Sequence, residues 1–201
     1  MTDGVAVGTD EAGRGPLAGP VVAAAVILTP QQERALLDMG LRDSKKMSPS
    51  GREAVFAAMQ DMGVAWRARS ASVEEIEAFN ILRASLLAMG RSVSALLASA
   101  YADFVVVDGL FGVPGVSLPQ FPVVSADSRF PAVSAASVAA KVLRDRVMAE
   151  LDRFYPVYGF ARHKGYPTRE HREAVRTWGM SPMHRVKFCR KLLEVCNGGN
   201  N

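Results

Sequence analysis

Two adjacent acids, Asp10 and Glu11, are the residues of this chain that most directly suggest chemistry. They follow the short apolar segment 5–9, a predicted strand, and precede a Gly-Arg-Gly turn at residues 13–15. Successive side chains of a strand point to opposite faces of a sheet, so both carboxylates reach one site only if the strand ends there and the chain bends. The glycines permit that bend. Paired carboxylates beside exposed backbone suit a hard divalent cation and a phosphate, which predicts a catalytic site.

Two further acids are predicted to lie where strands end. Asp108 follows the apolar segment 104–107, and Asp127 lies in the loop after the predicted strand 121–125. A carboxylate beside a buried strand is costly unless it is paired or bound to metal, although an Asp-Gly pair can also simply form a turn. Clusters of carboxylates select Mg²⁺ or Mn²⁺ over zinc, because hard cations prefer oxygen ligands. The sequence therefore predicts a metal site built from Asp10, Glu11, Asp108 and Asp127.

The charge distribution indicates a polyanionic ligand. Residues 141–191 carry 13 Lys and Arg against 5 Asp and Glu, whereas residues 1–140 carry 11 against 14. This asymmetry predicts that one region holds a polyanion and the other cuts or senses it, or else that the basic region is a solvated helical surface. The same two interpretations apply to a polar stripe on the long predicted helix 132–154, which would track a nucleic-acid backbone or face solvent. The stripe consists of Ser134, Ser137, Lys141 and Arg144.

Three more residues are candidates for contact with a nucleic acid. Lys45 and Lys46 lie in a polar loop at residues 42–47, and Tyr166 lies within the basic segment 162–168. An aromatic ring among cations can pack against a base or a sugar, although a buried tyrosine is the more common case.

Alternating strands and helices must position all of these side chains. Hydrophobic periodicity and turn residues predict strands at 5–9, 21–28, 64–70, 104–107 and 121–125. Helices are predicted at 30–39, 49–63, 72–100 with a break near Asn80, 132–154, 168–178 and 182–195. Strands that alternate with helices and end in a helical tail are typical of an α/β sheet with a C-terminal helical lobe.

Several classes of protein are disfavoured by the sequence. The glycines after Glu11 do not form the G-x-G-x-x-G dinucleotide motif, and there is no phosphate-binding G-x-x-x-x-G-K-[ST] run. The longest apolar segment, 16–30, is too short to span a bilayer, and no secretory signal segment is recognised. The two cysteines, Cys189 and Cys196, are seven residues apart in one predicted helix, which favours small core residues over a disulfide or zinc site. A cytoplasmic protein without membrane attachment is expected.

The ordered set of motifs resembles the ribonuclease HII family, the type 2 ribonucleases H. The resemblance covers nearly the whole chain, and the order of the motifs makes it specific although each one is weak alone. Its motifs are residues 10–16 (DEAGRGP), 43–46 (DSKK), 80–81 (NI), 107–109 (VDG), Asp127 before 134–137 (SAAS), 140–142 with 144–146 (AKV, RDR), 165–168 with His171 (GYPT), and 181–182 with 184–185 (SP, HR).

The resemblance implies a ribonuclease-H-like fold, with a mixed five-stranded sheet flanked by helices and a C-terminal helical extension. We expect a catalytic core at residues 1–158 and the extension at 159–201. The resemblance also implies cleavage of the RNA strand in RNA–DNA hybrids and incision 5′ to ribonucleotides embedded in duplex DNA. Two Mg²⁺ or Mn²⁺ ions are expected to take part in catalysis. Asp10, Glu11, Asp108 and Asp127 match the metal-binding acids of the family, with Asp145 as a rival for the fourth.

The resemblance also implies how substrate is recognised. Gly13, Arg14 and Gly15 match a motif that reads the ribose 2′-hydroxyl, and Tyr166 matches an aromatic residue that checks the sugar at the junction. Lys45, Lys46, Ser134, Ser137 and Lys141 complete the expected substrate-binding set. The expected partners are the RNA–DNA hybrid and ribonucleotide-containing duplex DNA, bound by a monomer without a protein partner.

Three other functions share some of these features. A catalytically silent hybrid-binding module would keep the fold, but the presence of all four acids argues against it. A ribonuclease HIII normally carries an additional N-terminal binding domain, for which Asp10 is expected to lie too near the start. A transposase-like polynucleotidyl transferase is expected to need further DNA-binding domains.

Overall fold

A mixed five-stranded sheet forms the centre of the molecule. The computed structural model describes residues 4–42 and 44–190. The strands are β1 (Ala6–Ala12), β2 (Val21–Ile27), β3 (Ala65–Ala71), β4 (Phe104–Asp108) and β5 (Gln120–Val123), in the spatial order β3-β2-β1-β4-β5. β2 is antiparallel to both β1 and β3, whereas β4 is parallel to both β1 and β5. The predicted mixed five-stranded sheet is confirmed.

Seven α-helices with both ends among the described residues accompany the sheet. They are α1 (Pro30–Asp38), α2 (Pro49–Asp61), α3 (Val73–Phe79), α4 (Ile81–Leu97), α5 (Pro131–Phe154), α6 (Phe160–His163) and α7 (Arg169–Trp178). The predicted break near Asn80 separates α3 from α4: Asn80 has φ 69° and its side chain accepts a hydrogen bond from the Arg83 N–H. That contact caps the start of α4.

The two faces of the sheet are covered by different helices. Val21, Ala23 and Ala25 of β2 pack in one apolar cluster with α4, whereas Ala24 and Val26 pack in another with α5. This alternation follows from the two-residue period of a strand, and it explains why β2 is apolar throughout. Both faces of the central strands are therefore buried by helices.

Helix α5 lies unusually close to β1 at one residue. A Cβ atom built on Gly8 would lie 2.3 Å from the carbonyl carbon of Ala132. Only a glycine leaves room for the backbone of α5 at this position. The start of α5 is thus held directly against the strand that carries Asp10 and Glu11.

The C-terminal part of the described chain packs around the end of α5. Met148, Phe160 and Val175 form an apolar cluster with Ala18, which lies between β1 and β2. Residues 186–190 are helical, and the remainder of the predicted helix 182–195 lies outside the described residues, as does Cys196. Cys189 is buried as expected of a core residue. A domain boundary at residue 158 stays a prediction.

The strand bounds differ from the sequence prediction most at β1 and β5, and by one residue at the ends of the others. β1 was predicted to end at Thr9 but continues to Ala12, because its last residues pair with β2 in the register Ala12↔Val22. β5 begins and ends slightly earlier than predicted. Within residues 4–42 and 44–190, no helix is long and apolar enough to cross a membrane.

Candidate active site

Asp10 and Asp108 come together because their strands are parallel neighbours. β1 and β4 pair up to Thr9↔Val107, so the next residue of each strand is one of these acids. Beyond that point β1 continues along β2 alone, and side chains from both of its faces can reach the space past the end of β4. Asp10 and Glu11 therefore share one cleft although they are successive residues of a strand, and the bend that the sequence suggested is not needed.

The cleft has a volume of about 330 Å³ and contains both acidic and basic side chains. Asp10, Glu11 and Asp108 lie in it, and Glu11 is 3.5 Å from the Arg14 guanidinium. Of the residues predicted to bind substrate, the lining includes Gly13, Arg14, Gly15, Lys45, Ser137, Lys141 and Tyr166. Lys46 and Ser134 lie outside it. Residues from distant parts of the chain thus form one concave surface.

Burial and mutual repulsion disfavour the ionised form of the acids in the cleft. The pKa of Asp10 is raised well above its ordinary value of 3.8, first by burial and then by the negative charges of Glu11 and Asp108. Burial also raises the pKa of Glu11, although the Arg14 charge opposes that shift. Buried carboxylates that repel one another are stabilised by a bound cation.

The donor set fits a hard divalent cation. Within the described residues, no three or more His, Cys, Asp or Glu side chains gather closely enough to hold an ion by themselves. Mg²⁺ is commonly held by one or two carboxylates together with waters and substrate phosphates, so it does not require a closed protein cage. Asp10, Glu11 and Asp108 supply only oxygen ligands, and this arrangement fits such an open site.

The fourth predicted acid, Asp127, does not line the cleft with the other three. Asp127 is buried in a short 3₁₀ turn, and its carbonyl accepts a hydrogen bond from Ser134 Oγ. Its neighbour Ala126 donates its N–H to Asp108 Oδ1 at 2.7 Å, which ties this turn to the acids. Asp145, the rival, instead binds Lys141 Nζ at 2.6 Å and lines a different surface depression. The role of Asp127 stays a prediction, and the geometry favours it over Asp145.

The loop after Glu11 is held by a buried arginine from the C-terminal end of the described chain. Arg185 has no exposed surface, and its guanidinium donates five hydrogen bonds of 2.7–3.1 Å. The acceptors are the carbonyls of Gly13, Arg14, Pro16 and Gly19. Burial is the main reason that the pKa of Arg185 is lowered to about 9. Backbone dipoles thus stabilise this buried cation.

A second buried arginine supports the same loop from α5. Arg144 donates hydrogen bonds to the carbonyls of Ala18, Pro20 and Lys164. A Cβ atom on Gly13, where φ is +106°, would lie 2.1 Å from Arg144 Nε, so no larger residue fits there. Gly13 is therefore required for close packing as well as for its backbone conformation.

The polar stripe predicted on α5 is largely buried rather than a solvent face. Ser134, Ser137 and Arg144 are buried, and of these Ser137 lines the cleft together with Lys141. Ser137 Oγ lies 2.8 Å from Ser44 Oγ beside the cleft. Lys141 Nζ lies 5.8 Å from the centre of the Tyr166 ring, over which it forms a cation–π contact. The direct substrate contacts of these residues stay predictions.

Sequence reasoning missed the importance of Arg185. It belongs to a recognisable His-Arg motif, but its partners are backbone carbonyls, which carry no sequence signal of their own.

The motif at residues 43–46 is only partly described. Asp43, its first residue, lies outside the described residues. Lys45 and Lys46 lie in a 3₁₀ turn at Ser44–Lys46, and both side chains are exposed.

The fold and cleft define a ribonuclease-H-like protein, and comparison with known proteins narrows the class. The family model of ribonuclease HII matches residues 7–191. A ribonuclease HII of Marinomonas sp. (strain MWYL1) is 50% identical over 189 residues, covering 93% of this chain and 92% of that protein. The chain belongs to the ribonuclease HII family, and it is a hydrolytic endoribonuclease.

Solved structures support the same fold. The ribonuclease H2 of Pyrococcus horikoshii OT3 superposes with a TM-score of 0.74 at 26% identity, covering 97% of this chain and 100% of that one. Bst-RNase HIII in complex with Mn²⁺ superposes with a TM-score of 0.75 at 17% identity, covering 96% of this chain and 70% of that one. The second likeness concerns the fold alone.

Substitution of Arg185 by lysine should destabilise the protein, because one ammonium group cannot bond to all four carbonyls. Buried carbonyls left without a donor cost about 1–3 kcal/mol each, so we expect the free energy of unfolding to fall by about 2–4 kcal/mol. Urea denaturation measures this change. The control is Arg172→Lys at an exposed residue of α7, which should leave the midpoint unchanged. Equal midpoints for the two variants would contradict the role of Arg185.

Asp10→Asn should stabilise the metal-free protein at pH 7. The pKa of Asp10 is higher in the folded than in the unfolded chain, so stability is lost as pH rises through that interval, and a neutral amide avoids the loss. In EDTA we expect a melting temperature a few degrees above wild type at pH 7 and no difference below about pH 3.8. A variant less stable than wild type at pH 7 would refute the repulsion among the acids.

Proposed function

We propose that this protein hydrolyses the RNA strand of RNA–DNA hybrids and incises duplex DNA 5′ to embedded ribonucleotides. The observation that carries the proposal is that acids, a Gly-Arg-Gly loop and an exposed tyrosine line a single cleft. Membership of the ribonuclease HII family supports the first activity, and the content of the cleft supports the second. Products would carry 3′-hydroxyl and 5′-phosphate ends.

The acids would hold two divalent cations, Mg²⁺ or Mn²⁺. Asp10, Glu11 and Asp108 line one cleft, where they would bind such ions together with waters and substrate phosphates, and Asp127 would complete the set. When bound, two ions of this kind stabilise the attacking water and the leaving 3′-oxygen of a phosphodiester. The protein's own contribution is to fix the carboxylates in position, since Asp10 Oδ1 accepts the Glu11 N–H at 2.6 Å and Asp108 Oδ1 accepts the Ala126 N–H.

The Gly-Arg-Gly loop would recognise the ribose. RNA differs from DNA by its 2′-hydroxyl, which both donates and accepts hydrogen bonds. Arg185, which is buried and does not line the cleft, binds the carbonyls of Gly13 and Arg14, and among the described residues the N–H groups of 13–15 donate to no backbone carbonyl. Those N–H groups are therefore candidates to bind the 2′-hydroxyl beside the acids.

The basic side chains of the cleft would bind the phosphates. Lys45 is exposed at one edge, and Lys141 lies between Asp145 and the Tyr166 ring. Two of the predicted residues lie outside the cleft. Lys46 is exposed and would bind more distant phosphates, whereas Ser134 would hold the loop of Asp127 through its hydrogen bond to the Asp127 carbonyl. We further propose that the protein works as a monomer in the cytoplasm without a protein partner.

Asp108→Asn should abolish cleavage without unfolding the protein. The assay uses duplex DNA with one ribonucleotide, incubated with Mg²⁺, Mn²⁺ or EDTA, and maps the cut. We expect a loss of at least about 100-fold in rate with hybrid binding retained, because the amide no longer attracts a cation. The control is Asp61→Asn, at an exposed residue where α2 ends. Cleavage that persists in EDTA, or a 2′,3′-cyclic phosphate product, would refute the mechanism.

The same assay distinguishes the two candidates for the fourth acid. Asp127→Asn should lose most of its activity, whereas Asp145→Asn should keep it, because the Asp145 carboxylate binds Lys141 rather than joining the acids. Raising the Mn²⁺ concentration should raise the rate of the Asp127 variant more than that of the Asp145 variant, since only substitution of a metal ligand weakens metal affinity. An inactive Asp145 variant beside an active Asp127 variant would reverse the assignment.

A further inference from the structure

The C-terminal part of the described chain contains a cluster of three buried histidines. His163, His171 and His184 are 9%, 0% and 2% exposed. The rings of His163 and His171 stack with their centres 4.4 Å apart, and His171 Nε2 lies 3.0 Å from His184 Nε2. None of the three lines the cleft, yet their hydrogen bonds lead to it.

The surrounding backbone fixes which nitrogens carry protons. The Ser181 N–H donates to His184 Nδ1 at 2.9 Å, so that nitrogen must be an acceptor. The Tyr166 carbonyl can only accept, so His171 Nδ1, at 2.9 Å from it, must carry a proton. In neutral rings the remaining proton lies on His184 Nε2, which donates to His171 Nε2. A directed chain of hydrogen bonds thus runs from Ser181 through His184 and His171 to Tyr166.

The chain depends on both rings being neutral. Burial is the main cause that lowers the pKa of His171, and it also lowers the pKa of His184, to about 4. A second proton on either ring would turn an accepting nitrogen into a donor that faces another donor. Burial and geometry therefore favour the same protonation state.

Tyr166 is held by its backbone, while the residue as a whole is 40% exposed and lines the cleft. Its N–H donates to the His163 carbonyl at 2.9 Å, and its own carbonyl also accepts the Thr168 N–H at 2.8 Å. Next to it, the Gly165 carbonyl accepts the Leu17 N–H at 2.8 Å, which joins this segment to the Gly-Arg-Gly loop. A Cβ atom on Gly15 would lie 3.8 Å from the Tyr166 ring, so ring and loop are neighbours.

We propose that His171 and His184 are positioning residues, which set the orientation of Tyr166 in the cleft through this chain of hydrogen bonds. The inference rests on the proposed function, since the property they control is incision at a single ribonucleotide. Both histidines are buried and neither lines the cleft. A displaced Tyr166 ring would disturb contact with the sugar at the junction more than cleavage within a long hybrid, where many equivalent sites can bind.

Two substitutions of His171 separate positioning from simple packing. Asparagine places its amide near the position of Nδ1 and can still donate to the Tyr166 carbonyl, whereas glutamine places its amide near Nε2 and cannot. Both remove the ring and its stacking on His163, so the loss of packing is similar. The measured quantities are kcat and KM on duplex DNA with one ribonucleotide and on a long RNA–DNA hybrid.

We expect His171→Asn to keep the wild-type ratio of the two kcat/KM values within about twofold. His171→Gln should lower kcat/KM on the single ribonucleotide about tenfold, as expected for one lost hydrogen bond, and change cleavage of the long hybrid less. Tyr166→Ala serves as the reference for complete loss of the contact. Equal behaviour of the two His171 variants, in a protein whose wild type cuts at single ribonucleotides, would overturn the inference. A wild type without that activity would instead overturn the proposed function.

A measurement on the wild-type protein tests the chain even if both variants fail to fold. Nitrogen-15 NMR of the imidazole groups distinguishes the two neutral forms of each ring. We expect the proton on Nδ1 in His171 and on Nε2 in His184, with both rings neutral at pH 7. The opposite form in either ring, or a charged ring at pH 7, would break the directed chain and overturn the inference.

Discussion

The active cleft depends on one buried cation, the guanidinium of Arg185, whose partners are carbonyls of the loop between β1 and β2. The carbonyls of this loop are buried, and buried carbonyls without a hydrogen-bond donor are costly. A planar group with five donors resolves this problem at several carbonyls at once. Arg144 does the same for the adjacent residues, so both arginines bond to the carbonyls of this loop from the buried side.

The sheet supplies the other half of the site by a simple mismatch in strand length. β4 ends at Asp108, while β1 continues along β2 for three more residues after Thr9. The mismatch opens a space at the middle of the sheet that both faces of β1 can reach. Because α5 contacts the backbone of β1 at Gly8, this part of the strand cannot shift to relieve the repulsion among its acids.

The sequence was sufficient to predict the fold class and the acids at the ends of strands, because apolar strands followed by Asp are a local signal. The sequence was misleading for residues whose contact partners lie far away along the chain. The end of β1 was placed too early because acids and glycines disfavour strands, and pairing with β2 overrides that preference. Arg144 appeared to belong to a polar surface, since helical periodicity cannot distinguish solvent from a buried carbonyl 124 residues away. The same limit concealed the role of Arg185.

The distance along the chain between Arg185 and its loop also bears on how the protein is made. Residues 13–19 leave the ribosome early, but the side chain that shapes them follows 166–172 residues later. Until then the strands can pair, while the loop lacks the donors that define its form. Synthesis through Arg185 is thus a condition for the ordered loop, so a nascent chain that already carries Asp10, Glu11 and Asp108 still lacks the donors that shape the turn beside them.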